Sequence, residues 1–272
     1  MESRVLPDSI SSPITKIAAD GFDIIDPLQF RVCIVKKMQF QSDLVPGYLV
    51  NRYKRFFADV ELSSGKLVTA HCPNTGSMSG LINRGTKVWL EPNEDPKKKL
   101  KYSWKLVDHE NGHYTGVDTN IANKIVNEAL GQGKISEVID YDEVLREQKY
   151  GVNSRVDFIL KNGFKSCFLE VKSVTLCRQE KIAEFPDTVT ARGAKHLKEL
   201  SNIVDKDTRA IVLYLVQRSD CNYFKIANDL DSIYADASIF SENSGVEFVC
   251  YGVNFLQNGI ELGYNLEFVD KF

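Results

Sequence analysis

The chain has 272 residues, of which 43% are hydrophobic and 26% charged, the balance of an ordinary folded protein. This balance excludes a globally disordered chain, a coiled coil and a collagen-like chain. The longest uninterrupted apolar run, Ala210–Val216, spans seven residues, whereas a membrane-spanning helix needs roughly 20. The start of the chain has scattered acidic residues and no apolar segment typical of an export signal, so we predict a cytoplasmic protein with no membrane partner.

The net charge of −3 is unevenly distributed. Residues 1–44 carry 5 basic and 6 acidic side chains, residues 45–110 carry 11 and 7, and residues 111–272 carry 18 and 24. A basic segment indicates polyanion binding, whereas an acidic domain needs another reason to approach phosphate, such as a metal ion. We therefore predict an N-terminal extension (1–44) of no assigned function, a nucleic-acid-binding domain (45–110) and an acidic second domain (111–272).

After the extension, the sequence changes to short β-rich runs separated by turn residues. Phe56–Leu62 and Leu67–Cys72 flank a Gly-containing segment, which predicts a hairpin. Two further strands are predicted at Thr86–Leu90 and Tyr102–Val107. Several short strands within so few residues are typical of a small β-barrel, and the OB-fold is one candidate of this size.

The remainder of the chain alternates helical and strand patterns, which predicts an α/β domain. Apolar residues at helical spacing predict a first helix over Thr119–Leu130. Predicted strands follow at Val144–Tyr150, Arg155–Leu160 and Cys167–Val174, then a helix over Val189–Val204 and a buried strand at Arg209–Val216.

This second domain carries two acids and a lysine on neighbouring predicted strands. Because side chains alternate along a strand, Glu170 and Lys172 share one face and their apolar neighbours occupy the other. Asp157 lies on the preceding strand, and Asn162-Gly163 offers the turn between the two strands. Glu128, near the end of the first helix, is predicted as a third acid that faces the same site.

Two carboxylates held close together repel, so they require a shared proton or a cation. Oxygen ligands without paired His or Cys favour Mg²⁺ or Mn²⁺ over Zn²⁺. We predict that Asp157, Glu170 and Glu128 bind the metal and that Lys172 activates water. The chemistry that this set favours is metal-dependent hydrolysis of a phosphodiester, with Asp157, Glu170 and Lys172 as the catalytic residues.

The acid-x-Lys pattern is weak by itself, because it occurs at Asp95–Lys97, Glu147–Lys149 and Glu170–Lys172. A solvated surface pair is the alternative for any one copy. Only the third copy has apolar neighbours and an acid on a preceding strand. A second pattern, His109–His113, matches the zinc-protease motif His-Glu-x-x-His, but the Asn-Gly in its middle predicts a turn where that motif needs a helix.

Two basic segments are candidate nucleic-acid contacts. In the second predicted helix, Arg192, Lys195 and His196 are placed to contact phosphate, with a solvated helix face as the alternative. In the first domain, Asn51–Phe57 interleaves aromatic residues with Arg52, Lys54 and Arg55, a mixture that suits a nucleic-acid backbone and stacked bases. The alternative there is that the aromatic residues are core and the cations solvated.

The loop Pro73–Gly80 is rich in small and amide residues. Its backbone N–H groups, around Asn74 and Thr75, are candidates for holding a phosphate. A tight turn of purely structural function is the alternative.

Four segments resemble the sugar fermentation stimulation protein A (SfsA) family: His71–Met78, Ser154–Phe158, Glu170–Leu176 and Phe185–Leu197. The likeness keeps motif order from about Tyr48 to near the C-terminus. It implies a small OB-fold-like β-barrel followed by a PD-(D/E)xK restriction-endonuclease-like α/β domain, with DNA binding and a regulatory link to sugar (maltose) use. The resemblance does not extend to the N-terminal extension.

By this resemblance, Asp157, Glu170 and Lys172 occupy the nuclease-motif positions. The two basic segments match the helix that follows the motif and the entry to the barrel. We predict a DNA-binding protein of low sequence specificity with a Mg²⁺- or Mn²⁺-dependent nuclease site. The alternative is a non-catalytic transcriptional regulator linked to sugar metabolism, and homodimer formation is left open.

Overall fold

The computed structural model describes residues 38–151 and 154–269. Within these ranges, no helix is long and apolar enough to cross a membrane. The helices are α1 (Thr119–Gly131), α2 (Ala191–Ser201) and α3 (Ser232–Asn243), with a short 3-10 helix at Ser136–Val138. The strands are β1 (Val45–Tyr53), β2 (Phe57–Leu62), β3 (Leu67–His71), β4 (Lys87–Pro92), β5 (Tyr102–Asp108), β6 (Tyr114–Gly116), β7 (Glu143–Tyr150), β8 (Ser154–Asn162), β9 (Lys165–Val174), β10 (Leu176–Gln179), β11 (Ile182–Phe185), β12 (Thr208–Val216), β13 (Tyr223–Ile226), β14 (Glu247–Leu256), β15 (Gly259–Asn265) and β16 (Glu267–Phe268).

The first six strands form the predicted OB-fold-like barrel. They pair in the order β3-β2-β1-β4-β5-β6, and an additional pairing between β3 and β5 closes the sheet on itself. Alternate side chains point inward, as the period of a strand requires, and fill the interior around the fully buried Trp104. Because β6 pairs with β5, the strand pairing of this half extends beyond residue 110 to Gly116.

Strand β1 is one of the two barrel strands that the sequence did not predict, the other being the short strand β6. Strand β1 pairs with β2 on one side and with β4 on the other, so it is central to the sheet. Its first residues include Pro46 and Gly47, both of which normally argue against an inner strand. Gly47 is required here because the backbone of β2 passes close by: an added Cβ would lie 2.8 Å from the Glu61 oxygen.

The segment His109–His113 is a turn, as predicted, and not part of a helix. It joins β5 to β6, and the His109 N–H donates to the His113 carbonyl oxygen at 3.0 Å. Gly112 has a φ of 88°, which a helix does not permit. The zinc-protease interpretation therefore lacks the helical geometry it requires.

The second half is the predicted α/β domain. Its main sheet has the order β15-β14-β12-β9-β8-β7, in which β9, β12 and β14 are parallel and the outer strands antiparallel. Helix α1 packs Ile121 and Ile125 against one face of this sheet, and α2 packs Leu197 and Leu200 against the other face. The four strands predicted in this domain and both predicted helices are present, while α3 and the remaining strands were not predicted.

The end of the predicted extension packs on the second domain. Met38 is buried in the core beside α1, and Gln39 forms an isolated β-bridge with Gly259. The preceding part of the extension, residues 1–37, lies outside the described residues.

We expect Gly47→Ala to destabilise the barrel. The new Cβ would lie 2.6 Å from the Val60 side chain and 2.8 Å from the Glu61 carbonyl oxygen, and a backbone atom cannot move aside cheaply. Such overpacking lowers the free energy of unfolding by about 1–3 kcal/mol, measurable by urea denaturation. Ser64→Ala, in the exposed β2–β3 loop, is the control and should change it by less than about 0.5 kcal/mol. Equal urea midpoints for Gly47→Ala and the wild type would contradict the close packing of β1 on β2.

Candidate active site

A cavity of about 340 Å³ lies where β8 and β9 meet α1 and α2. Asp157, Glu170 and Lys172, the three residues of the predicted nuclease motif, all line it. The sequence hypothesis required the two acids to share one pocket and the lysine to stay out of bulk solvent. Both conditions are met, since the Lys172 side chain is only 13% exposed.

The alternation of β9 determines what faces this cavity. Leu169 and Val171 pack into the core on the α1 side of the sheet, and Glu170 and Lys172 project towards α2. The Lys172 ammonium donates to Glu170 Oε1 at 2.8 Å. The face that the sequence predicted for this pair is therefore the observed one.

Both oxygens of Asp157 accept hydrogen bonds. Asn123 Nδ2, from α1, donates to Oδ1 at 2.7 Å, and the Val171 backbone N–H donates to Oδ2 at 2.8 Å. Burial, followed by the negative charge of Glu170, nevertheless raises the pKa of Asp157 above its ordinary value. The hydrogen bonds limit this rise in pKa but do not cancel it.

Glu170 is 95% buried, yet its charge is well compensated. Burial alone would raise its pKa, but the hydrogen bond with His196 and the charge of Lys172 bring the pKa below the ordinary value. His196 Nδ1 lies 2.7 Å from Glu170 Oε1, and Arg192 Nε lies 3.4 Å from His196 Nε2. With the Arg192 N–H directed at Nε2, the imidazole proton belongs on Nδ1, from which it is donated to Glu170.

The remaining oxygen, Glu170 Oε2, is buried and has no hydrogen-bond partner among the described residues. A buried carboxylate oxygen without a donor costs free energy, so this atom is available for a ligand. Two ionisable carboxylates in one cavity also favour a cation. Because the available atoms are oxygens, Asp157 and Glu170 fit a hard divalent ion such as Mg²⁺ or Mn²⁺. In the described part of the chain, no cluster of three or more His, Cys, Asp or Glu forms a larger metal site.

Glu128 does not face this cavity, contrary to the expectation from the sequence. Its Oε2 accepts from the Met38 N–H at 2.6 Å, and its Oε1 accepts from Gln132 Nε2 at 2.9 Å. At 3.6 residues per turn, Glu128 points about 140° away from Asn123, the α1 residue that reaches Asp157. Its position makes Glu128 an anchor for the chain before β1 and leaves it out of the metal-binding set.

The cations of α2 divide between the cavity and the surface. Arg192 lines the cavity together with His196. The Lys195 side chain is 53% exposed, and its Nζ lies 3.6 Å from Oε1 of Glu199, one helical turn away. Helix α2 is held in place by its Thr190 cap, which accepts from the Gly193 N–H, and by its apolar face on the sheet.

Arg52 and Asn74 have structural contacts in place of the free surface positions expected for nucleic-acid contacts. Arg52 Nη2 donates to the backbone oxygens of Arg55, Asn74 and Gly76. Asn74 is buried, and its side-chain oxygen accepts from the Gly76 N–H. Together these contacts fix the loop 73–78 against the β1–β2 turn.

Lys54, Arg55 and Thr75, by contrast, are exposed. Lys54 and Arg55 form the tight turn between β1 and β2, each with a positive φ, and Phe56 beside them is 47% exposed. No ion pair engages either cation within the residues that the structure describes. This turn therefore presents two charges and an aromatic ring to solvent.

The barrel loop 73–78 also touches the second domain beside the cavity. Thr119, which lines the cavity, donates through its N–H and its hydroxyl to the Pro73 oxygen. In the segment before α2, Asp187 accepts from the Ser77 hydroxyl and the Met78 N–H. The barrel thus contacts a residue that lines the candidate active site.

Sequence reasoning did not assign four of the polar residues that line the cavity to the site, namely Thr119, Asn123, Ser173 and Thr190. Asn123 is the most informative, because a polar residue four positions after Thr119 lies on the same side of the helix. That spacing was a usable signal. Asp187 was quoted within a family motif, but nothing in the sequence indicated its contact with the barrel loop.

Two family descriptions match the chain. The SfsA N-terminal OB domain matches residues 50–117, and the sugar fermentation stimulation protein RE domain matches residues 120–259. The sugar fermentation stimulation protein homolog of Roseobacter denitrificans is 54% identical over 227 residues, covering 83% of this chain and 97% of that protein. The homolog of Ruegeria pomeroyi is 54% identical over 226 residues, covering 83% and 98%.

A solved structure of Pyrococcus furiosus SfsA in complex with Ca²⁺ has the same fold. Its TM-score is 0.76 at 24% sequence identity, covering 86% of this chain and 99% of that one. These matches confirm the family resemblance noted in the sequence and the order of an OB-type barrel followed by an α/β domain.

The two carboxylates should affect stability with opposite signs. The pKa of Asp157 is raised, so above that pKa its ionised form destabilises the fold. The pKa of Glu170 is lowered, so its ionisation stabilises the fold above its ordinary pKa, and this is lost as the pH falls through the folded-state pKa. At pH 7 without metal, calorimetry should show a higher melting temperature for Asp157→Asn and a lower one for Glu170→Gln.

The new amide in Asp157→Asn can still accept from the Val171 N–H, and the Asn123 amide can rotate to accept from it. Mg²⁺ serves as the control: it should raise the melting temperature of the wild type more than that of Asp157→Asn. Shifts of the same sign for both variants would show that the charges are not compensated as described.

Proposed function

The chain belongs to the sugar fermentation stimulation protein (SfsA) family, and we propose that it binds DNA with low sequence specificity and hydrolyses its phosphodiester bonds. One observation carries the hydrolytic part. Asp157, Glu170 and Lys172 line one cavity in which a buried carboxylate oxygen, Glu170 Oε2, has no partner among the described residues.

The carboxylates of Asp157 and Glu170 would hold Mg²⁺ or Mn²⁺. When bound, such an ion polarises a phosphodiester and lowers the pKa of water. The Pyrococcus furiosus relative is described in complex with Ca²⁺, another hard cation that prefers oxygen ligands. That relative supports the choice of ion class for this chain.

The other residues would bind and orient the substrate. The Lys172 ammonium, held by Glu170 Oε1, would orient the attacking water and offset the negative charge that develops on the phosphate. Arg192, which lines the cavity from α2, can contact a phosphate with two N–H groups at once. His196 is a positioning residue, because its N–H to Glu170 fixes which carboxylate oxygen stays free.

DNA binding would use the exposed β1–β2 turn of the barrel. Lys54 and Arg55 supply positive charge for the backbone, and Phe56 supplies a surface on which a base can stack. Arg52 ties this turn to the loop 73–78, which contacts the second domain beside the cavity. A DNA strand bound at this turn would therefore be able to continue along the loop 73–78 towards the candidate active site.

Purified protein with Mg²⁺ or Mn²⁺ should cleave DNA, and EDTA should stop the cleavage. Asp157→Asn, Glu170→Gln and Lys172→Met should each lower the rate by about 10²-fold or more, because each removes a charge from the reacting centre. Gel assays of labelled DNA measure the rate, and DNA binding should persist. Glu128→Gln is the matched control. Glu128 is about as buried as Glu170 but lies outside the cavity, so this variant should retain the cleavage rate.

If no divalent ion supports cleavage while DNA binding remains, the nuclease proposal is wrong. The chain would then be the non-catalytic DNA-binding regulator. If Glu128→Gln abolishes cleavage as completely as Glu170→Gln does, the assignment of the metal-binding acids is wrong.

The double substitution Lys54→Ala/Arg55→Ala should weaken DNA binding about equally for different sequences. Because each phosphate contact contributes about 0.9 to the slope of log affinity against log salt concentration, the slope should fall by about 1–2. Fluorescence anisotropy over a salt series measures both quantities. Lys66→Ala, in the loop at the other end of β2, is the control. An unchanged slope in the double variant would exclude this turn from the DNA contact.

A further inference from the structure

A second cavity adjoins the candidate active site. It has a volume of about 480 Å³ and shares Arg192 and His196 with the first cavity. Its other walls come from the end of β7, the start of β8 and α2, and none of the described residues that line it is acidic. A group bound there would share a wall with a group bound at Asp157 and Glu170.

The cations of this cavity are placed against one another. Lys149 and Arg155 are direct cross-strand partners in the β7–β8 pair, an arrangement of like charges that destabilises a sheet unless an anion offsets it. Lys195 adds a third charge from α2. Arg155 forms an ion pair with Glu147 and Lys195 forms one with Glu199, each at 3.6 Å, whereas Lys149 and Arg192 form no ion pair among the described residues. The cavity therefore keeps an excess of positive charge.

The next cross-strand pair, Tyr150 and Ser154, contributes two buried hydroxyls. Both residues line the cavity and are more than nine-tenths buried, and neither hydroxyl has a hydrogen-bond partner among the described residues. Burial, followed by the charge of Glu170, raises the pKa of Tyr150, so this hydroxyl keeps its proton and can donate. Unpaired buried hydroxyls are costly, and an oxygen-rich anion is the ligand that satisfies them.

We infer that this second cavity binds a backbone phosphate of the same strand, next to the phosphate at Asp157 and Glu170. This rests on the proposed function, which puts a phosphodiester in the first cavity. Arg192 lines both cavities, so a polymer with regularly spaced anions can occupy both at once. Three cations and two hydroxyl donors match the acceptor oxygens of a phosphate. Lys149, Tyr150, Ser154 and Arg155 thereby become binding residues.

The test measures DNA affinity in Ca²⁺, which separates binding from cleavage. Duplex DNA is prepared with one backbone phosphate at a time replaced by an uncharged methylphosphonate. Lys149→Ala/Arg155→Ala should bind unmodified DNA more weakly, with a salt slope lower by about 0.9, the value for one phosphate. At one methylphosphonate position, and only there, the wild type and this variant should bind equally well. Lys198→Ala, on the exposed side of α2, is the control and should behave like the wild type.

A second variant separates the site from a structural role. Tyr150→Phe/Ser154→Ala removes two unpaired hydroxyls, so its melting temperature should equal or exceed that of the wild type while its DNA affinity falls several-fold. A deficit that persists at every methylphosphonate position, or unchanged affinity in both variants, would overturn the inference. Failure of the proposed hydrolysis is a different result: Mg²⁺ would then give no cleavage, although the methylphosphonate scan still identified one position.

Discussion

Asp157 and Glu170 bring two negative charges into one cavity, where burial strengthens their repulsion. The surrounding elements each contribute to offsetting that repulsion. Lys172 comes from the same strand as Glu170, and His196 comes from α2 on one face of the sheet. Asn123 comes from α1, which packs on the other face. The two helices therefore converge on this pair, and one carboxylate is left less well compensated than the other.

The barrel is connected to this centre by a short series of contacts. Arg52 joins the exposed β1–β2 turn to the loop 73–78, and that loop contacts Thr119, which lines the cavity, and Asp187, in the segment before α2. These hydrogen bonds go to backbone oxygens, which need partners when they are buried. Arg52, a candidate binding residue in the sequence, thus orients the turn that exposes Lys54 and Arg55.

The sequence was sufficient where one local period decides the structure. Alternation along a strand placed Glu170 and Lys172 on one face, and the β2–β3 hairpin followed from its turn residues. The sequence was insufficient where the position of a side chain depends on how a helix is rotated against the sheet, or on contacts with residues far away in the chain. Asn123 and Glu128 are both polar residues of α1, and only the packing of the helix shows which of them reaches Asp157. The strand β1 was hidden for a similar reason, since its glycine is needed only because β2 lies so close.

Gly76 illustrates how strictly the two halves are matched. A Cβ at this position would overlap the Asp187 carboxylate of the second domain. A side chain there would force the Asp187 carboxylate to turn away from the loop, and the hydrogen bonds that it accepts from Ser77 and Met78 would be lost. A chimera that joins this α/β domain to a barrel from a distant protein would therefore need both sides of the junction transplanted together, although each half has its own hydrophobic core.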